Sequence, residues 1–366
     1  MTEKEEIHSK LDKIRKFMNA NSYKGVLFGA QHNFSWLTAG GDDQIIHGTE
    51  LGFVCILVTL DAVYLITNNI EMPRVSEEET ENLSAQCVEF IWTEATIKAC
   101  VDDIVKGGKL AADHEFSGAV NEKSRLDPLR IPLTESEVER YRTLAGICAG
   151  SMEETMYEIE PGMDEFEIQG VIGGKLLSKG IYPVVLLVGT DERIFNFRHP
   201  MPTRKKLDKY CMVVICAQKW GLVLNMTRLV HFGSLHEEIR TKYEALHKVD
   251  MAYIAATTPG NRMKDIFTIG KKAYEEVGFK GEELKHFQGG TCGYLAREIG
   301  LDPHSEYMIQ DGEIFAHNPS IQGTKLEDSI LVKGSSFELL TCSSNWPVRE
   351  IEYQGVVLKR PEILIR

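Results

Sequence analysis

The spacing of apolar side chains divides the first third of the chain into helices and strands. Over residues 4–20 they recur every three or four positions, at Ile7, Leu11, Ile14 and Phe17, which predicts an amphipathic helix. Four apolar runs separated by polar stretches follow, KGVLFGA, FVCILVT, VYLITNN and AQCVEFIW. These runs predict strands, with helical stretches near 72–82 and 95–106. The alternation indicates an α/β domain of about 130 residues.

A non-periodic segment with two prolines, KSRLDPLRIPL at 123–133, separates this domain from the rest of the chain. Directly after it, Thr134 and Glu137 have the spacing of a capping box, in which each side chain accepts the backbone amide of the other residue. The sequence predicts a helix from there to about Glu158. Since the chain has 366 residues, we expect two domains, 1–133 and 134–366.

The second domain contains a repeated pattern. The Pro-Gly pairs at 161–162 and 259–260 each precede a helical stretch, and these stretches end at Gly180 and Gly278. Long helical segments come before both pairs, at 134–159 and 236–256, and strand-like runs follow both stretches. Pro-Gly before a helix and Gly after one are common, so coincidence is the alternative. The matching order favours duplication, which predicts two ααβ halves that form an antiparallel sheet backed by helices. The crevice between the halves is then the default site.

Composition and charge limit the class of protein. The hydrophobic share is 43%, the charged share 26% and the net charge −13, which is ordinary for a globular chain and unfavourable for binding a phosphate backbone. No apolar run is long enough to span a membrane, and the charged N-terminus lacks the apolar core of a signal peptide. The eight cysteines include no CxxC pair, which favours a reducing compartment. We expect a cytoplasmic protein that binds neither nucleic acid nor membrane.

Four segments of the second domain carry candidate chemistry. They contain His199 before a proline, the polar strand end at 225–228, the glycine-rich run after His286, and Glu327 within an apolar run. Glycines at 289, 290 and 293 indicate close approach of the backbone to a ligand or another strand. Structural alternatives are a surface-loop histidine, an ion-paired strand end and a solvent-facing strand residue. Taken without further information, the residues form a weak constellation of His199, His286, Arg297 and Glu327.

In their order and spacing these segments resemble the creatinase/aminopeptidase P/prolidase family, the M24 peptidases with the "pita-bread" fold. Residues 33–40 are similar to the family's NxxYLTG segment, and residues 134–139 to the start of its catalytic domain. His199 with 202–204 is similar to HxxPT(D)R, and 326–332 is similar to the (I)EDtvlV strand. The resemblance implies an α+β fold, in which a pita-bread domain of duplicated ααβ halves at 134–366 follows a smaller creatinase-type α/β domain at 1–133.

The resemblance also implies a metal site, and here the sequence departs from the family. The metallopeptidases hold two divalent ions with Asp, Asp, His, Glu and Glu. The corresponding positions are Val214 or Cys216, Asn225, Gly290, Asn318 and Glu327, so that only Glu327 is kept as a ligand. Because ions such as Mn²⁺ need several carboxylates, we expect no metal cofactor. The alternative is weakly bound Mn²⁺ or Zn²⁺.

A metal-free branch of the family, which hydrolyses creatine, implies roles for the remaining residues. That branch uses the HxxP histidine as acid/base, and its GREAG segment, whose Arg helps to bind the substrate carboxylate, corresponds to 296–300 here. By this resemblance His199 is the acid/base, His286 polarises or shuttles a proton, and Glu327 orients Arg228 or a histidine. The expected substrate contacts are Arg297 as a carboxylate clamp, Arg228, Asn225, Asn318 and Trp36.

The leading hypothesis is therefore a metal-independent hydrolase that cleaves a C–N bond in a small carboxylate-bearing substrate. Candidate substrates are a guanidino acid, an N-acyl amino acid and an Xaa-Pro-like dipeptide. Two alternatives stay open. One is an Xaa-Pro dipeptidase or aminopeptidase with weakly bound divalent metal, and the other is a non-catalytic pita-bread protein that binds a ligand or a partner.

The resemblance further implies a homodimer, because the family's dimers place the N-terminal domain of one subunit over the partner's site. Residues 33–43 contain Phe34, Trp36 and an Ala-Gly-Gly sequence. We expect a flexible loop whose aromatic side chains contact the partner subunit. The alternative is a hairpin that packs on its own domain.

Overall fold

The computed structural model describes residues 1–366, which form two compact units. Unit 1 comprises Met1–Arg140 and Trp220–Leu222, and unit 2 comprises Tyr141–Lys219 and Val223–Arg366. The boundary lies inside a helix, after Arg140, whereas the sequence places it before Thr134. No helix combines the length and the apolar character needed to cross a membrane.

Unit 1 contains a six-stranded mixed sheet with helices. Its strands are β1 (Gly25–Ala30), β2 (Leu51–Thr59), β3 (Val63–Asn68), β4 (Gln86–Phe90), β5 (Leu110–Ala112) and β6 (Ala119–Asn121), in the order β4-β3-β2-β1-β5-β6. Its helices are α1 (Glu3–Asn21), α2 (Gln31–Leu37), α3 (Met72–Arg74), α4 (Ile97–Val105) and α5 (Lys123–Leu126), with a π-helix at Val75–Glu79 and a 3-10 helix at Asp127–Arg130. The helix predicted at 4–20 and the four predicted strands are confirmed.

The segment expected to be a flexible loop at 33–43 is helical over its first five residues, up to Leu37. It begins within α2, whose seven residues are all buried. Phe34 and Trp36 are 2% and 1% exposed, and the Trp36 ring packs against Phe28 at a centroid distance of 6.4 Å. Because both rings are buried within the chain, the prediction that they contact a partner subunit is wrong, and Trp36 offers no surface to a substrate. The homodimer itself stays a prediction.

Unit 2 contains pairs of helices and two larger sheets. The helices are α6 (Glu135–Glu158, which begins in unit 1), α7 (Glu165–Leu177), α8 (Glu192–Asn196), α9 (Glu237–Ala256) and α10 (Met263–Glu276), with a 3-10 helix at Glu282–Leu284. The strands are β7 (Tyr182–Thr190), β8 (Tyr210–Lys219), β9 (Leu222–His231), β10 (Gly289–Cys292), β11 (Ile299–Gly300), β12 (Ile314–His317), β13 (Ser320–Ile321), β14 (Thr324–Lys325), β15 (Asp328–Lys333), β16 (Ser336–Leu339), β17 (Val348–Tyr353), β18 (Val356–Pro361) and β19 (Leu364–Ile365).

The strands of unit 2 form largely antiparallel sheets, as the sequence predicts, and they are divided between two larger sheets. Hydrogen bonds define a four-stranded sheet, β19-β9-β8-β7, and a five-stranded sheet, β11-β10-β12-β15-β16. Two short two-stranded sheets, β13-β14 and β17-β18, are separate from them. The capping box that precedes α6 is confirmed, since the Thr134 amide donates to Glu137 (2.7 Å) and the Glu137 amide donates to Thr134 Oγ1 (3.3 Å).

Backbone contacts support the predicted duplication. The amide of Gly162 donates to the Leu207 carbonyl (2.8 Å), and the amide of Gly260 donates to the Ile309 carbonyl (2.9 Å). Both glycines have positive φ, +96° and +91°. Isolated β-bridges follow at Asp164 and Arg262. The two glycines are 98 positions apart (260 − 162), and so are the two bridge residues (262 − 164). In each half a pair of helices precedes the strands. The backbone has the same local geometry just before the second helix of each pair, α7 and α10.

Candidate functional site

The first half of unit 2 presents His199 on the irregular segment that follows α8. Pro200 packs so closely on β7 that a Cβ at Gly189 would lie 2.5 Å from Pro200 Cγ. The His199 side chain is exposed. Its Nε2 lies 3.0 Å from Nε2 of His286 in the second half, with the two rings at a centroid distance of 4.9 Å. The structure therefore brings together two histidines that are 87 positions apart in the chain.

A buried amide holds His286 just before β10. Gln288 Nε2 donates to the carbonyls of His286 (2.6 Å) and Glu283 (3.1 Å), while Tyr274 Oη donates to Gln288 Oε1 (3.1 Å). His286 Nδ1 is buried without a hydrogen-bond partner. Since a buried N–H without an acceptor is unfavourable, we assign the proton of neutral His286 to Nε2, from which it donates to Nε2 of His199.

Glu327 lies between β14 and β15 and is 2% exposed, so the solvent-facing alternative is wrong. Its Oε1 accepts from Arg297 Nη2 (3.0 Å), and its Oε2 accepts from Lys325 Nζ (2.8 Å) and Thr227 Oγ1 (2.8 Å). Burial alone would raise the pKa of Glu327, but the charges of Lys325 and Arg297 and the hydrogen bonds lower that pKa to about 2. At neutral pH Glu327 is an ionised carboxylate with both oxygens engaged.

The histidine pair lies within the electrostatic field of Lys325. Burial, followed by the positive charge of Lys325, lowers the pKa of His199 below its usual value. The same two causes lower the pKa of His286 to about 3. Glu327 opposes both shifts, with a smaller effect. Both imidazoles are therefore neutral at pH 7, and a neutral imidazole can accept a proton from water.

Asn225 and Arg297 meet at the loop that precedes β11. Asn225 Nδ2 donates to Cys292 Sγ (3.2 Å) and to the Ala296 carbonyl (3.3 Å), and Arg297 Nη1 also donates to that carbonyl (2.6 Å). Asn225 Oδ1, Asn318 Oδ1 and Arg297 Nε are buried without hydrogen-bond partners. Polar atoms left in this state cost free energy unless a ligand or water satisfies them.

Two positions were proposed for the first family aspartate, and one of them, Cys216, interacts electrostatically with the site. The pKa of Cys216 is raised to about 12, mainly by burial and in smaller part by Glu327, while Arg297 and Lys325 oppose the rise. These interactions place its thiol within electrostatic reach of the Glu327 cluster and keep it protonated. Val214, in contrast, belongs to the hydrophobic core of unit 2.

The glycine-rich run brings strands together. A Cβ at Gly289 (φ +116°) would lie 2.3 Å from the Ala316 carbonyl oxygen of β12, and a Cβ at Gly290 (φ +155°) would lie 2.2 Å from the Ile299 carbonyl oxygen of β11. Close approach of another strand, one of the two possibilities raised by the sequence, is what the backbone shows. A histidine at position 290 would require β11 to move.

Arg228 occupies a different network from the one that the sequence predicts. Its Nη2 donates to Asp328 Oδ1 (2.8 Å) and to the Thr341 carbonyl (2.5 Å), and its Nη1 donates to the Thr227 carbonyl (2.7 Å). The predicted orientation of Arg228 by Glu327 is wrong, because Asp328 is its partner. Since the Arg228 side chain is only 3% exposed, its place is that of a buried ion-paired strand end and not of a substrate contact.

The residues present do not fit a divalent ion of the family type. No group of three or more His, Cys, Asp or Glu side chains has an arrangement that could hold a metal. The single carboxylate, Glu327, has both oxygens bound by cationic side chains. The remaining positions supply a protonated thiol, two amides and Gly290, whereas hard ions prefer charged oxygen ligands. Lys325 and Arg297 thus supply fixed positive charge at the carboxylate.

Lys325 and Thr227 are the main site residues absent from the sequence-based set. Lys325 precedes Glu327 by two residues, and alternate residues of an extended segment point to the same face. This spacing is a usable signal, since a buried lysine and a buried glutamate on one face are each strongly unfavourable without the opposite charge of the other. Thr227 carries no such signal, because its contact with Glu327 spans 100 residues.

Solved structures share this fold. The prolidase from Pyrococcus horikoshii OT3 superposes with a TM-score of 0.78 at 18% identity, covering 92% of this chain and 99% of that one. The dipeptidase PepE from Mycobacterium ulcerans gives 0.79 at 14% identity over 100% and 99%. The N-terminal domain of the FACT complex subunit SPT16 from chickpea gives 0.67 at 10% identity over 92% and 96%. These likenesses identify the pita-bread fold.

Sequence comparison gives the family. The sequence model of the metallopeptidase family M24 matches residues 139–334, more than half of the chain. An uncharacterized peptidase of Staphylococcus aureus (strain MW2) is 24% identical over 223 residues, and one of Staphylococcus epidermidis (strain ATCC 12228) is 25% identical over 228. Each match covers 58% of this chain and 63% of the relative's length. The chain belongs to the metallopeptidase family M24.

Proposed function

We propose that this protein is a hydrolase that cleaves a C–N bond of a small carboxylate-bearing substrate without a metal cofactor. The observation that carries the proposal is the neutral His199–His286 pair beside a carboxylate whose oxygens are bound by Lys325 and Arg297. The family's metallopeptidases keep further carboxylates for two ions in this region. In this chain fixed cations stand beside the remaining carboxylate.

In the proposed reaction His199 acts as general base and then as general acid. Its acceptor nitrogen, Nε2, exchanges the hydrogen bond from His286 for one from water, removes that proton as the oxygen attacks the carbonyl or amidine carbon, and returns the proton to the leaving nitrogen. In the free protein the His286 Nε2–H holds the ring of His199 in place. Lys325 stabilises the negative charge that develops on the attacked group, because a fixed charge in a partly buried site needs no reorganisation.

We further propose that Arg297 binds the substrate carboxylate, and that the side-chain oxygens of Asn225 and Asn318 accept hydrogen bonds from the substrate. The unpartnered Arg297 Nε supports this assignment, since it is a donor that a substrate carboxylate would satisfy, whereas the unpartnered oxygens of Asn225 and Asn318 are acceptors suited to N–H groups of the substrate. Assembly as a homodimer and a cytoplasmic location remain proposals from the family resemblance.

The second candidate function is an Xaa-Pro dipeptidase that binds a divalent ion weakly. It is favoured by the likeness in fold to the Pyrococcus prolidase and to an Xaa-Pro dipeptidase from Bacillus anthracis, which superposes with a TM-score of 0.76. The donor set described above is unfavourable to it. The two candidates differ in whether activity requires metal.

We expect hydrolysis to persist after chelation and exhaustive dialysis. Purified protein should be assayed before and after EDTA treatment with Xaa-Pro dipeptides, N-acyl amino acids and guanidino acids. Added Mn²⁺ or Zn²⁺ should leave the melting temperature unchanged, because we expect neither ion to bind. An ion that did bind would raise the melting temperature, since at 100 times its Kd it stabilises the folded state by about 2.7 kcal/mol. Activity only with added ion, or a clear upward shift with Mn²⁺, would favour the second candidate. Binding of these substrates without turnover of any would favour a non-catalytic protein.

Replacement of Lys325 by methionine is expected to move the acid limb of the kcat/KM profile to higher pH. Lys325 lowers the pKa of His199 and Glu327 raises it, so removing the ammonium group favours protonated His199. The matched control is Lys333→Met, since Lys333 also pairs with a glutamate, Glu338, but is exposed. The control should keep the parental limb. An unchanged limb in Lys325→Met would show that the titrating group is not His199.

A further inference from the structure

We infer that Glu165 is a positioning residue that fixes the loop carrying His199; this inference rests on the proposed role of His199. Glu165 is the first residue of α7 and is fully buried, with 0% exposure. A buried carboxylate is strongly unfavourable unless hydrogen bonds and a counter-charge compensate for its lost hydration. The hydrogen-bond partners of the Glu165 carboxylate therefore indicate which part of the structure it stabilises.

The Glu165 carboxylate binds both ends of the loop at 190–203. Its Oε1 accepts from the Thr190 amide (2.9 Å), Thr190 Oγ1 (3.0 Å) and Arg193 Nε (3.0 Å). Its Oε2 accepts from the Thr203 amide (2.9 Å) and Thr203 Oγ1 (2.8 Å). A single side chain thus closes a loop that contains α8 and His199.

Arg193 extends this clamp toward His199. While its Nε donates to Glu165, its Nη2 donates to the Met201 carbonyl at 2.6 Å. Met201 lies two residues after His199, and the intervening Pro200 packs against Gly189 of β7. The backbone on the C-terminal side of His199 is therefore tied to Glu165 through Arg193 and directly through Thr203.

The duplicated half of unit 2 shows that the fold does not need a carboxylate at this place. The Glu165 amide donates to the Lys205 carbonyl (3.1 Å), and the Met263 amide donates to the Tyr307 carbonyl (3.0 Å). Both residues begin the second helix of their half, and both are fully buried. The equivalent position accepts an apolar methionine, so packing of the helix alone does not account for Glu165. The carboxylate occurs in the half that carries His199.

Placement of His199 depends on its backbone more than on packing of its ring. The side chain is exposed, and its hydrogen bond is the one to His286 Nε2 at 3.0 Å. Release of the loop ends would let the imidazole move away from His286 and from the field of Lys325. Misplacement of a catalytic group by about 1 Å can lower a rate by about 100-fold.

The decisive variant is Glu165→Gln, with Glu167→Gln as its matched control. Both substitutions remove one negative charge from the first turn of α7, but Glu167 is exposed and only completes the capping box with Asp164 (2.7 Å). In Glu165→Gln an amide nitrogen replaces one oxygen, so the donors of either Thr190 or Thr203 lose their acceptor. The full-length protein should be labelled with ¹³C-histidine and titrated by NMR, with His199→Gln used to assign the resonance.

We expect the pKa of His199 in Glu165→Gln to rise toward the ordinary value of about 6.5, while Glu167→Gln keeps the parental titration. With any substrate that the parent hydrolyses, kcat should fall about 10- to 100-fold with KM within about twofold. An unchanged His199 titration, or an unchanged kcat, in folded Glu165→Gln would overturn the inference. A parent that hydrolyses nothing would count against the proposed function, while the NMR titration would still decide the positioning role.

A milder variant covers the case in which Glu165→Gln does not fold. Thr203→Val removes the hydroxyl that donates to Glu165 Oε2 and keeps the hydrogen bond from the backbone amide of residue 203 to the same oxygen. We expect a smaller rise in the pKa of His199, in the same direction, in a protein whose melting temperature stays near that of the parent. A parental titration in this variant, together with failure of Glu165→Gln to fold, would assign Glu165 to folding alone and overturn the inference.

Discussion

Replacement of His199 by alanine is expected to lower kcat by about 10²–10⁴-fold, the usual contribution of a positioned general acid/base. The melting temperature should change little, because the side chain is exposed and the fold does not pack around it. His304→Ala is the matched control, since His304 is another exposed histidine of unit 2. Steady-state kinetics and thermal unfolding of the three proteins provide the measurement.

His199→Gln separates chemistry from hydrogen bonding. Glutamine can accept a hydrogen bond from His286 but cannot carry a proton from water to a leaving nitrogen at neutral pH. We expect the glutamine variant to be as inactive as the alanine variant. Activity near the parental level in either one would remove His199 from the mechanism.

Replacement of Glu327 by glutamine is expected to destabilise the protein by about 3–5 kcal/mol, because Lys325 and Arg297 would keep their charges without a buried counter-ion. The side chains of Glu327 and Lys325 are 2% and 5% exposed, so solvent cannot replace the lost partner. The free energy of unfolding can be measured by urea denaturation at pH 7, from the transition in which unit 2 unfolds.

Glu338 provides the control for this experiment. It also pairs with an arginine and a lysine, Arg142 and Lys333, and its pKa is likewise lowered to about 2, by hydrogen bonding to Arg142 first. Its side chain is 32% exposed, and exposed ion pairs contribute about 0–1 kcal/mol. Equal losses for Glu327→Gln and Glu338→Gln would show that the buried cluster has no special energetic role.

The effect of Glu327 on stability also has a defined pH dependence. Its pKa is about 2 in the folded protein, below the ordinary value of 4.5, so the folded state favours the ionised form. This contribution is fully present above pH 4.5 and is lost as the pH falls toward 2. The difference in stability between the parent and Glu327→Gln should therefore narrow over that range.

Local patterns in the sequence were enough to locate the longer helices and the first four strands. The periodic apolar positions of α1 and the apolar runs of β1–β4 predict those elements because each has one clear burial pattern. The helix α2 was missed because QHNFSWL is buried on every side, so its polar and apolar residues do not alternate between core and solvent. The division of the unit 2 strands into two sheets depends on long-range hydrogen bonds that no local pattern encodes.

Without the family resemblance, the residues indicate only a weak set of candidates, and the resemblance supplies their proposed roles. His199 and His286 meet across the two halves, and neither segment carries a local signal for the other. The error at Arg228 has a simple geometric cause. Glu327 and Asp328 are neighbours in an extended segment, so their side chains point to opposite faces; Thr227 and Arg228 alternate in the same way. Thr227 therefore meets Glu327 while Arg228 meets Asp328, one position away from the predicted pairing.

The close packing of β11 against Gly290 limits the mutational routes open to this chain. A side chain at 290 would collide with the Ile299 carbonyl at 2.2 Å, and the backbone there has a φ of +155° that L-residues rarely adopt. Any larger residue at position 290 therefore requires a compensating change in β11 as well. A substitution there is expected to be tolerated only in combination with a second substitution that moves the Ile299 carbonyl.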